Sequence, residues 1–231
     1  MKKERLDEAL VRLQYADTPE LARAIIMEGR VFQNGNRLDK PAILLASDVG
    51  LTVKGDKLPY VSRGGLKLEK AIAAFGLTFE GKTCMDVGSS TGGFTDCMLQ
   101  KGAQKVYAVD VGYGQIAWKL RSDERVKVVE RTNIKNCEPS EIYDETDILP
   151  DFCAMDLSFI SVTKVLENIK KLMDKDTIEI VTLIKPQFEA GKELVGKNGV
   201  VREKSTHYKV IQDVINYAQT LDLYPEKLTF S

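Results

Sequence analysis

Hydrophobic residues recur at helical spacing at the start of the chain and then give way to short alternating runs. The segment "ERLDEALVRLQY" places its leucines on one face, which predicts a helix over residues 4–15. "TPELARAIIMEG" opens with a Thr-Pro pair suited to a helix start and closes on a glycine suited to a C-cap. Asn34-Gly35 in "RVFQNGNRL" predicts a tight hairpin, and "DKPAILLASDVGLTV" adds another short strand. The pattern predicts a compact α+β unit of two helices followed by a small sheet.

After the joint "KLPYVSRGG", which contains a proline and paired glycines, runs of strand length alternate with amphipathic helical stretches. This alternation predicts a doubly wound α/β fold with a mainly parallel, Rossmann-like sheet. The predicted strands are "KTCMDVG", "KVYAVDVG", "RVKVVERT", "DFCAMDLS" and "TIEIVTLIK". The predicted helices are "LKLEKAIAAFG", "GGFTDCMLQKG", "QIAWKLRSD", "ISVTKVLENIKKL" and "STHYKVIQDVINYAQTL", the last with a serine cap.

The overall charge does not indicate a partner, because 33 Lys and Arg residues balance 34 Asp and Glu residues for a net charge of -1. Basic residues nevertheless gather in the first 37 positions, at Lys2, Lys3, Arg5, Arg12, Arg23, Arg30 and Arg37. Such a group is typical either of a mixed solvated surface or of a surface that contacts nucleic-acid phosphates. Charge alone leaves both interpretations open.

The composition disfavours membrane insertion and metal chemistry. The longest apolar runs, "AILLA" and "IVTLI", are far shorter than the roughly 20 residues of a membrane span, and the N-terminus lacks the apolar core of a signal peptide. The four cysteines show no CxxC spacing and the chain has one histidine, His207, so neither a zinc site nor a histidine-based nucleophile is expected. We therefore expect a cytoplasmic protein with reduced, buried thiols, no metal and no membrane partner.

The glycine-rich loop "MDVGSSTGGFTD" predicts close approach of the backbone to a ligand. It lacks the lysine of a phosphate loop, and its glycine spacing differs from the GxGxxG of dinucleotide sites. Asp86 within the loop and Asp96 just beyond it would repel a pyrophosphate. A ligand with a positive centre and no phosphate fits better, and S-adenosylmethionine is such a ligand.

Residues at the ends of the next two strands extend this predicted cofactor site. Asp110 ends the second strand, where a carboxylate can accept hydrogen bonds from ribose hydroxyls, although it can also be a simple turn residue. Asn133 or Ile134, after the third strand, could border the adenine. The full predicted cofactor set is Asp86, Gly88, Ser89, Gly92, Gly93, Phe94, Asp110, Val111, Asn133 and Ile134.

Three charged residues are candidates for catalysis. Lys67 lies near the start of the helix after the joint, Asp156 ends the strand "FCAMDLS", and Lys185 ends "IVTLIKPQF". Taken singly, each is more often a surface lysine or a structural aspartate, but the carboxyl ends of parallel strands converge on one crevice. A ribose 2′-hydroxyl must lose its proton as it attacks a methyl group, and a lysine can take that proton when burial and a second cation lower its pKa. In this hypothesis the base is Lys185, the cation is Lys67, and Asp156 orients the lysine.

Two resemblances cover nearly the whole chain. "RLDEALVRL", "ARAIIMEGRVFQNG" and "DKPAILLASD" resemble an S4-type RNA-binding domain, although an alanine precedes Arg23 where such domains usually have a serine. That resemblance implies binding of structured RNA, with Arg5, Arg23, Arg30 and Arg37 as candidate phosphate contacts. We expect an S4 domain at 1–58, a linker at 59–62 and a catalytic domain at 63–231.

"YVSRGGLKLEKA", "MDVGSSTGGFTD", "VYAVDVGYGQIAWKLR", "ERTNI", "DLSFIS" and "LIKPQFE" resemble the TlyA family of 2′-O-ribose methyltransferases, related to the FtsJ group and sometimes labelled haemolysins. The resemblance implies cytidine methylation in the ribosomal RNA of both subunits, and a Lys-Asp-Lys-Glu tetrad whose first three members match Lys67, Asp156 and Lys185. The tetrad glutamate is expected beyond Ser231, with the last strand of the sheet, so we expect a C-terminally incomplete domain. Nothing matches Glu189 or Glu193 to the motif. The alternatives are an inactive RNA-binding module and a haemolysin.

Overall fold

The structure, a computed structural model, describes residues 3–16, 18–46, 50–55 and 58–231. The chain divides into two compact units, Met1–Arg63 and Gly64–Ser231. Each unit has a hydrophobic core of its own. The predicted positions Lys2, Ser47, Asp48 and Val49 lie outside the described residues.

The first unit packs two helices against short antiparallel strands. Its helices are α1 (Leu6–Arg12) and α2 (Pro19–Met27), and its strands are β1 (Lys3–Arg5), β2 (Val31–Gln33), β3 (Asn36–Leu38), β4 (Leu44–Ala46) and β5 (Thr52–Val53). Strand β1 pairs with β4, and β2 pairs with both β3 and β5. Leu6, Ala9 and Leu10 of α1 are buried, as their helical spacing predicts, whereas Leu13 lies beyond the end of α1 and is 37% exposed. Ile25 and Ile26 of α2 are also fully buried.

The local signals in this unit are confirmed. The Thr18 hydroxyl accepts a hydrogen bond from the Leu21 amide at 3.2 Å, and Pro19 is the first residue of α2. Gly29 directly follows Glu28, the C-cap of that helix, and has a φ of +70°. The predicted helix over 4–15 is wrong at its start, because Lys3–Arg5 pairs with Leu44–Ala46 as a strand before α1 begins.

The second unit contains a parallel sheet. Its strands are β6 (Thr83–Val87), β7 (Lys105–Val109), β8 (Val126–Val129), β9 (Phe152–Met155) and β10 (Glu179–Thr182). Among the described residues their order is β10-β9-β6-β7-β8, and each neighbouring pair is parallel. Its helices are α3 (Gly64–Phe75), α4 (Gly93–Gln100), α5 (Trp118–Arg121), α6 (Leu166–Leu172), α7 (Pro186–Glu189) and α8 (Lys204–Thr220). The predicted doubly wound fold is confirmed.

The strand order puts a topological switch point between β6 and β9. From β6 the chain adds β7 and β8 on one side and then β9 and β10 on the other. The loops that leave the carboxyl ends of β6 and β9 therefore diverge and open a crevice, where open α/β sheets bind their ligands.

Two helix predictions need correction. Ser205 lies inside α8 and is not its cap, since Glu203 holds that position, and "QIAWKLRSD" forms a helix only over Trp118–Arg121.

Candidate functional site

The glycine-rich loop lies at the switch point, and its backbone requires glycine at two positions. Gly88 follows β6 at a φ of +81°, and a Cβ atom built there would lie 3.1 Å from the carbonyl oxygen of Asp156. Gly92 has a φ of +94°, and its Cβ would lie 2.2 Å from Leu120. Both glycines thus supply a left-handed conformation and a close approach that a side chain would prevent.

Asp86 anchors this loop to helix α4. Its buried carboxylate accepts hydrogen bonds from the Thr95 amide at 2.9 Å and from the Thr95 hydroxyl at 2.7 Å. Burial raises the pKa of Asp86 to about 7, although the hydrogen bonds from Thr95 oppose the shift. The Asp86 carboxylate therefore holds the first turn of α4, and its contribution to a cofactor site stays a prediction.

Asp110 connects the loop to the neighbouring strand. One of its carboxylate oxygens accepts from the Ser90 amide at 2.8 Å and the other from the Gly112 amide at 2.7 Å. A carboxylate oxygen has two acceptor positions, so each can also accept from a ligand hydroxyl. Val111 beside it exposes an apolar side chain. These residues fit a ligand that offers ribose hydroxyls next to an apolar ring.

The other predicted cofactor residues differ in how much of the side chain is accessible. Ser89 and Phe94 are buried, and Gly93 begins α4, so these positions shape the loop. The Asn133 side chain is exposed and accepts a hydrogen bond from the Lys135 amide at 3.1 Å. Ile134 is buried in the core, and its carbonyl accepts from the Asn168 side chain at 2.8 Å.

The three candidate catalytic residues meet in one cluster. Lys67 on α3 donates from Nζ to the Asp156 Oδ2 atom at 2.8 Å, and the Lys185 Nζ lies 2.6 Å from Asp156 Oδ1. Asp156 directly follows β9, and Lys185 follows β10 and precedes α7. Burial by itself raises the pKa of the Asp156 carboxyl, but the ammonium groups of Lys185 and Lys67 outweigh it, and the pKa lies below its usual value.

Three residues near this cluster were not identified from the sequence. The Lys185 Nζ donates to the Ser158 hydroxyl at 3.1 Å. Phe159 is 91% exposed at a φ of +66°, which is unusual for a residue other than glycine, and its ring lies 5.1 Å from that of Phe188. The signal was available in "DLSFIS" and "LIKPQFE", where an aromatic residue follows each candidate strand end by three positions.

In the first unit, two of the four predicted RNA-binding arginines share one carboxylate. Arg5 donates to the two oxygens of Asp7 at 2.9 and 2.8 Å, and Arg23 donates to Asp7 Oδ2 at 3.1 Å. The hydrogen bond from Arg5 is the largest cause of a pKa for Asp7 below its usual value. Asp7 is 1% exposed, whereas the Arg5 and Arg23 side chains are 41% and 49% exposed. The buried aspartate thus holds two accessible guanidinium groups side by side.

The other two predicted arginines have different surroundings. Arg30 donates from Nε to the Lys54 carbonyl at 2.7 Å and pairs with Glu28 at 3.6 Å. The Arg37 guanidinium lies over Gly29, where a Cβ would meet its Cζ at 2.0 Å. Arg30 is therefore tied into the unit by its own contacts, and Arg37 packs against the end of α2.

Within the residues that the structure describes, no group of three or more potential metal ligands comes together. The described helices include none with the length and apolar character needed to cross a membrane.

An open parallel sheet with a glycine loop after its first strand and charged residues at neighbouring strand ends defines an α/β protein that binds a nucleoside-like ligand in its crevice. The chain belongs to the FtsJ-like methyltransferase family, which matches residues 60–224, and an S4 domain matches residues 4–48. These matches confirm both resemblances drawn from the sequence.

Individual relatives cover almost the whole chain. YqxC of Bacillus subtilis, whose name describes an rRNA methyltransferase, is 50% identical over 230 residues, which are 100% of this chain and 80% of that protein. TlyA of Mycobacterium tuberculosis, named as a 16S/23S rRNA (cytidine-2′-O)-methyltransferase, is 41% identical over 95% of this chain and 81% of its own length. A solved structure from Streptococcus thermophilus, described as a hemolysin, is 46% identical with a TM-score of 0.68, over 94% of this chain and 80% of that one.

Proposed function

We propose that the protein transfers a methyl group from S-adenosylmethionine to the 2′-hydroxyl of a cytidine ribose in the ribosomal RNA of the small and large subunits. One observation carries this proposal: a carboxylate at a strand end contacts two lysine ammonium groups beside a glycine-rich loop. The family membership and the names of the relatives support the same reaction. A ribosomal substrate also implies that the protein acts in the cytoplasm.

The loop and its neighbours suit S-adenosylmethionine in charge and in shape. The segment from Gly88 to Gly92 contains no cation that would repel a sulfonium, and Asp110 keeps acceptor positions for ribose hydroxyls. We assign Gly88, Ser89, Gly92, Gly93 and Phe94 to shaping the loop, and Val111, Asn133 and Ile134 to the adenine side. When bound, the cofactor supplies an electrophilic methyl group whose transfer leaves a neutral thioether.

The side chains of the cluster remove the proton of the 2′-hydroxyl and stabilise the charge that results. In the proposed reaction the Lys185 ammonium first gives its proton to solvent, and the resulting amine accepts the proton of the 2′-hydroxyl as that oxygen attacks. The ammonium that results is stabilised by the Asp156 carboxylate, whose Oδ1 atom lies 2.6 Å from Lys185 Nζ. Lys67 holds the other oxygen of Asp156 at 2.8 Å and fixes the orientation of the carboxylate. The residues thus hold geometry and charge for an in-line transfer.

We propose that RNA binding and methyl transfer belong to different domains. These are an S4-type RNA-binding domain at 1–58 and a methyltransferase domain at 63–231, joined by a linker at 59–62. Arg5 and Arg23 are the best-placed phosphate contacts, because Asp7 fixes both while half of each guanidinium side chain stays accessible. Phe159 adds an exposed aromatic face near Lys185, onto which an unpaired base can stack.

The deciding experiment is transfer of tritium from labelled S-adenosylmethionine to ribosomal subunits and to naked ribosomal RNA, followed by mapping of the modified ribose. We expect a 2′-O-methylated cytidine in RNA from both subunits. Cofactor binding by calorimetry without any transfer would instead support an inactive RNA-binding module. Lysis of red cells by purified, lipid-free protein would support the hemolysin description of the Streptococcus thermophilus structure.

A further inference from the structure

The carboxylate of Glu189 bridges two loops of the second unit. Its Oε1 atom accepts a hydrogen bond from the Val162 amide at 2.8 Å, and its Oε2 atom accepts from the Ser161 hydroxyl at 2.5 Å. Ser161 also caps the short 3-10 turn Val162–Lys164 by accepting from the Thr163 amide. Glu189 is the last residue of α7. Both carboxylate oxygens are therefore committed to one neighbouring turn.

The two bridged loops are the ones that carry Asp156 and Lys185. Asp156 begins the loop that runs from β9 to Ser161, and Lys185 directly precedes α7, which ends at Glu189. The pairing of β9 with β10 reaches the hydrogen bond from the Leu183 amide to the Met155 carbonyl at 3.0 Å. The Glu189 contacts connect the same two segments beyond that point. The catalytic ion pair is thus held from both sides, by the sheet and by Glu189.

Glu189 does not take the place of a fourth member of the charged cluster. Its two oxygens contact Ser161 and Val162, whereas the cluster consists of Lys67, Asp156 and Lys185. Glu193, the other carboxylate in this region, is exposed in the turn Lys192–Leu194, where its Oε1 lies against Gly191. The two glutamates therefore form a matched pair, one bridging the loops and the other accessible to solvent.

We propose that Glu189 is a positioning residue, which holds Lys185 against Asp156 in the geometry needed for proton transfer. The inference rests on the proposed role of Lys185 as the base. Hydrogen bonds to a carboxylate are stronger than those between neutral groups, so this bridge can fix the separation of two loops. Misplacement of a reacting group by about 1 Å can cost roughly 100-fold in rate, so loss of the bridge acts on kcat.

The test compares Glu189→Ala, Glu189→Gln and the control Glu193→Ala in the full chain. We measure kcat and KM with ribosomal RNA, cofactor affinity by calorimetry and the melting temperature. We expect Glu189→Ala to lower kcat about 10- to 100-fold with unchanged cofactor affinity. Glu189→Gln should recover most of the rate, because an amide can accept from the Val162 amide and donate to the Ser161 hydroxyl. Glu193→Ala should match the wild type.

Several results would overturn the proposal. These are a normal kcat in Glu189→Ala, a failure of glutamine to restore the rate, or an equal loss in Glu193→Ala. If Glu189→Ala does not fold, Ser161→Ala decides, because it removes one of the two contacts from the other loop. A lower kcat with normal cofactor affinity supports the bridge, and an unchanged kcat contradicts it.

A chemical readout separates this inference from the proposed function. If the wild-type protein transfers no methyl group, the proposed function fails, and the bridge is then tested by the acetylation rate of Lys185, measured by peptide mass spectrometry. Loss of the bridge should make Lys185 react several-fold faster in Glu189→Ala, with no change at the exposed Lys192. An unchanged rate at Lys185 would refute the bridging role.

Discussion

An aspartate lies between two arginines in the first unit, and another lies between two lysines at the crevice of the second, and the two arrangements differ in chemistry. In the first unit Asp7 accepts from Arg5 and Arg23, and in the second Asp156 contacts Lys67 and Lys185. An arginine stays protonated at any pH relevant to proteins, whereas a lysine can lose its proton when its surroundings favour the neutral form. The first arrangement therefore suits permanent attraction to phosphates, and the second suits proton transfer.

The two aspartates also differ in where the chain places them. Asp7 lies in the first turn of α1 and is 1% exposed, so it turns two guanidinium groups outward. Asp156 follows β9 at the mouth of the crevice, and its side chain is 18% exposed. A buried anchor with accessible cations presents a binding surface. A partly accessible carboxylate between two amines forms a site where a substrate can approach the amines.

The sharpest test of this difference is Lys185→Met, which removes the proposed base. We expect methyl transfer to fall by at least about 1,000-fold, within the range for loss of a general base. Cofactor affinity should change by less than about twofold, since the cofactor residues lie on other loops. The control is Lys192→Met, at an exposed position. A normal rate in Lys185→Met would show that another group takes the proton.

Asp156→Asn tests the carboxylate between the amines and should have the next largest effect. The variant leaves Lys67 and Lys185 side by side with no counter-charge, so we expect kcat to fall about 100-fold. Single-turnover kinetics and calorimetry separate this loss from cofactor binding. If Asp156→Asn changed only the cofactor affinity, the carboxylate would belong to the binding site and not to the proton-transfer site.

The matching test in the first unit compares Asp7→Asn with the double variant Arg5→Gln/Arg23→Gln. Removal of the arginines should weaken RNA binding roughly 10-fold. The slope of log affinity against log salt concentration should fall by the equivalent of up to about two phosphate contacts. Asp7→Asn should weaken binding less and keep that salt dependence, because both cations remain. Filter binding at several salt concentrations measures both quantities. The matched control is Arg125→Gln, since Arg125 pairs with Asp123 in the other unit.

If the double variant kept its salt dependence, the phosphate contacts would have to come from other basic residues. If Asp7→Asn weakened binding as much as the double variant did, the aspartate would be holding the fold of the unit. Circular dichroism of the variants distinguishes that outcome.

The smallest expected effect concerns the pH dependence of stability at Asp86. Because burial raises the pKa of Asp86 to about 7, the folded protein favours the protonated form, and stability is lost as pH rises from the usual carboxyl pKa to about 7. Asp7 and Asp156 have lowered pKa values, so their contributions are present at neutral pH and are lost on acidification. The quantity to compare is the melting temperature of Asp86→Asn minus that of the wild type. We expect this difference to be more positive at pH 8 than at pH 5. The same difference at both pH values would contradict a raised pKa for Asp86.

Much of the fold could be predicted because its signals are local. The Thr18-Pro19 helix start and the Asn34-Gly35 turn follow from the conformations that these residues adopt within a few positions of one another. The five strands of the second unit follow from apolar runs that must be buried on both faces. The start of α1 was predicted wrongly because its neighbouring strand forms by pairing with Leu44–Ala46, about forty positions away.

The sequence by itself determined the alternation of strands and helices, the glycine loop and the presence of charged residues at strand ends. Only the tertiary structure decided what each carboxylate does. Asp86 lies within the hydrophobic strand β6, and Asp110 and Asp156 directly follow β7 and β9, yet the first binds Thr95, the second binds two backbone amides and the third contacts two lysines. The physical reason is range: periodicity and turn chemistry act between near neighbours, whereas a carboxylate takes its partners from whatever packing brings within about 3 Å of it.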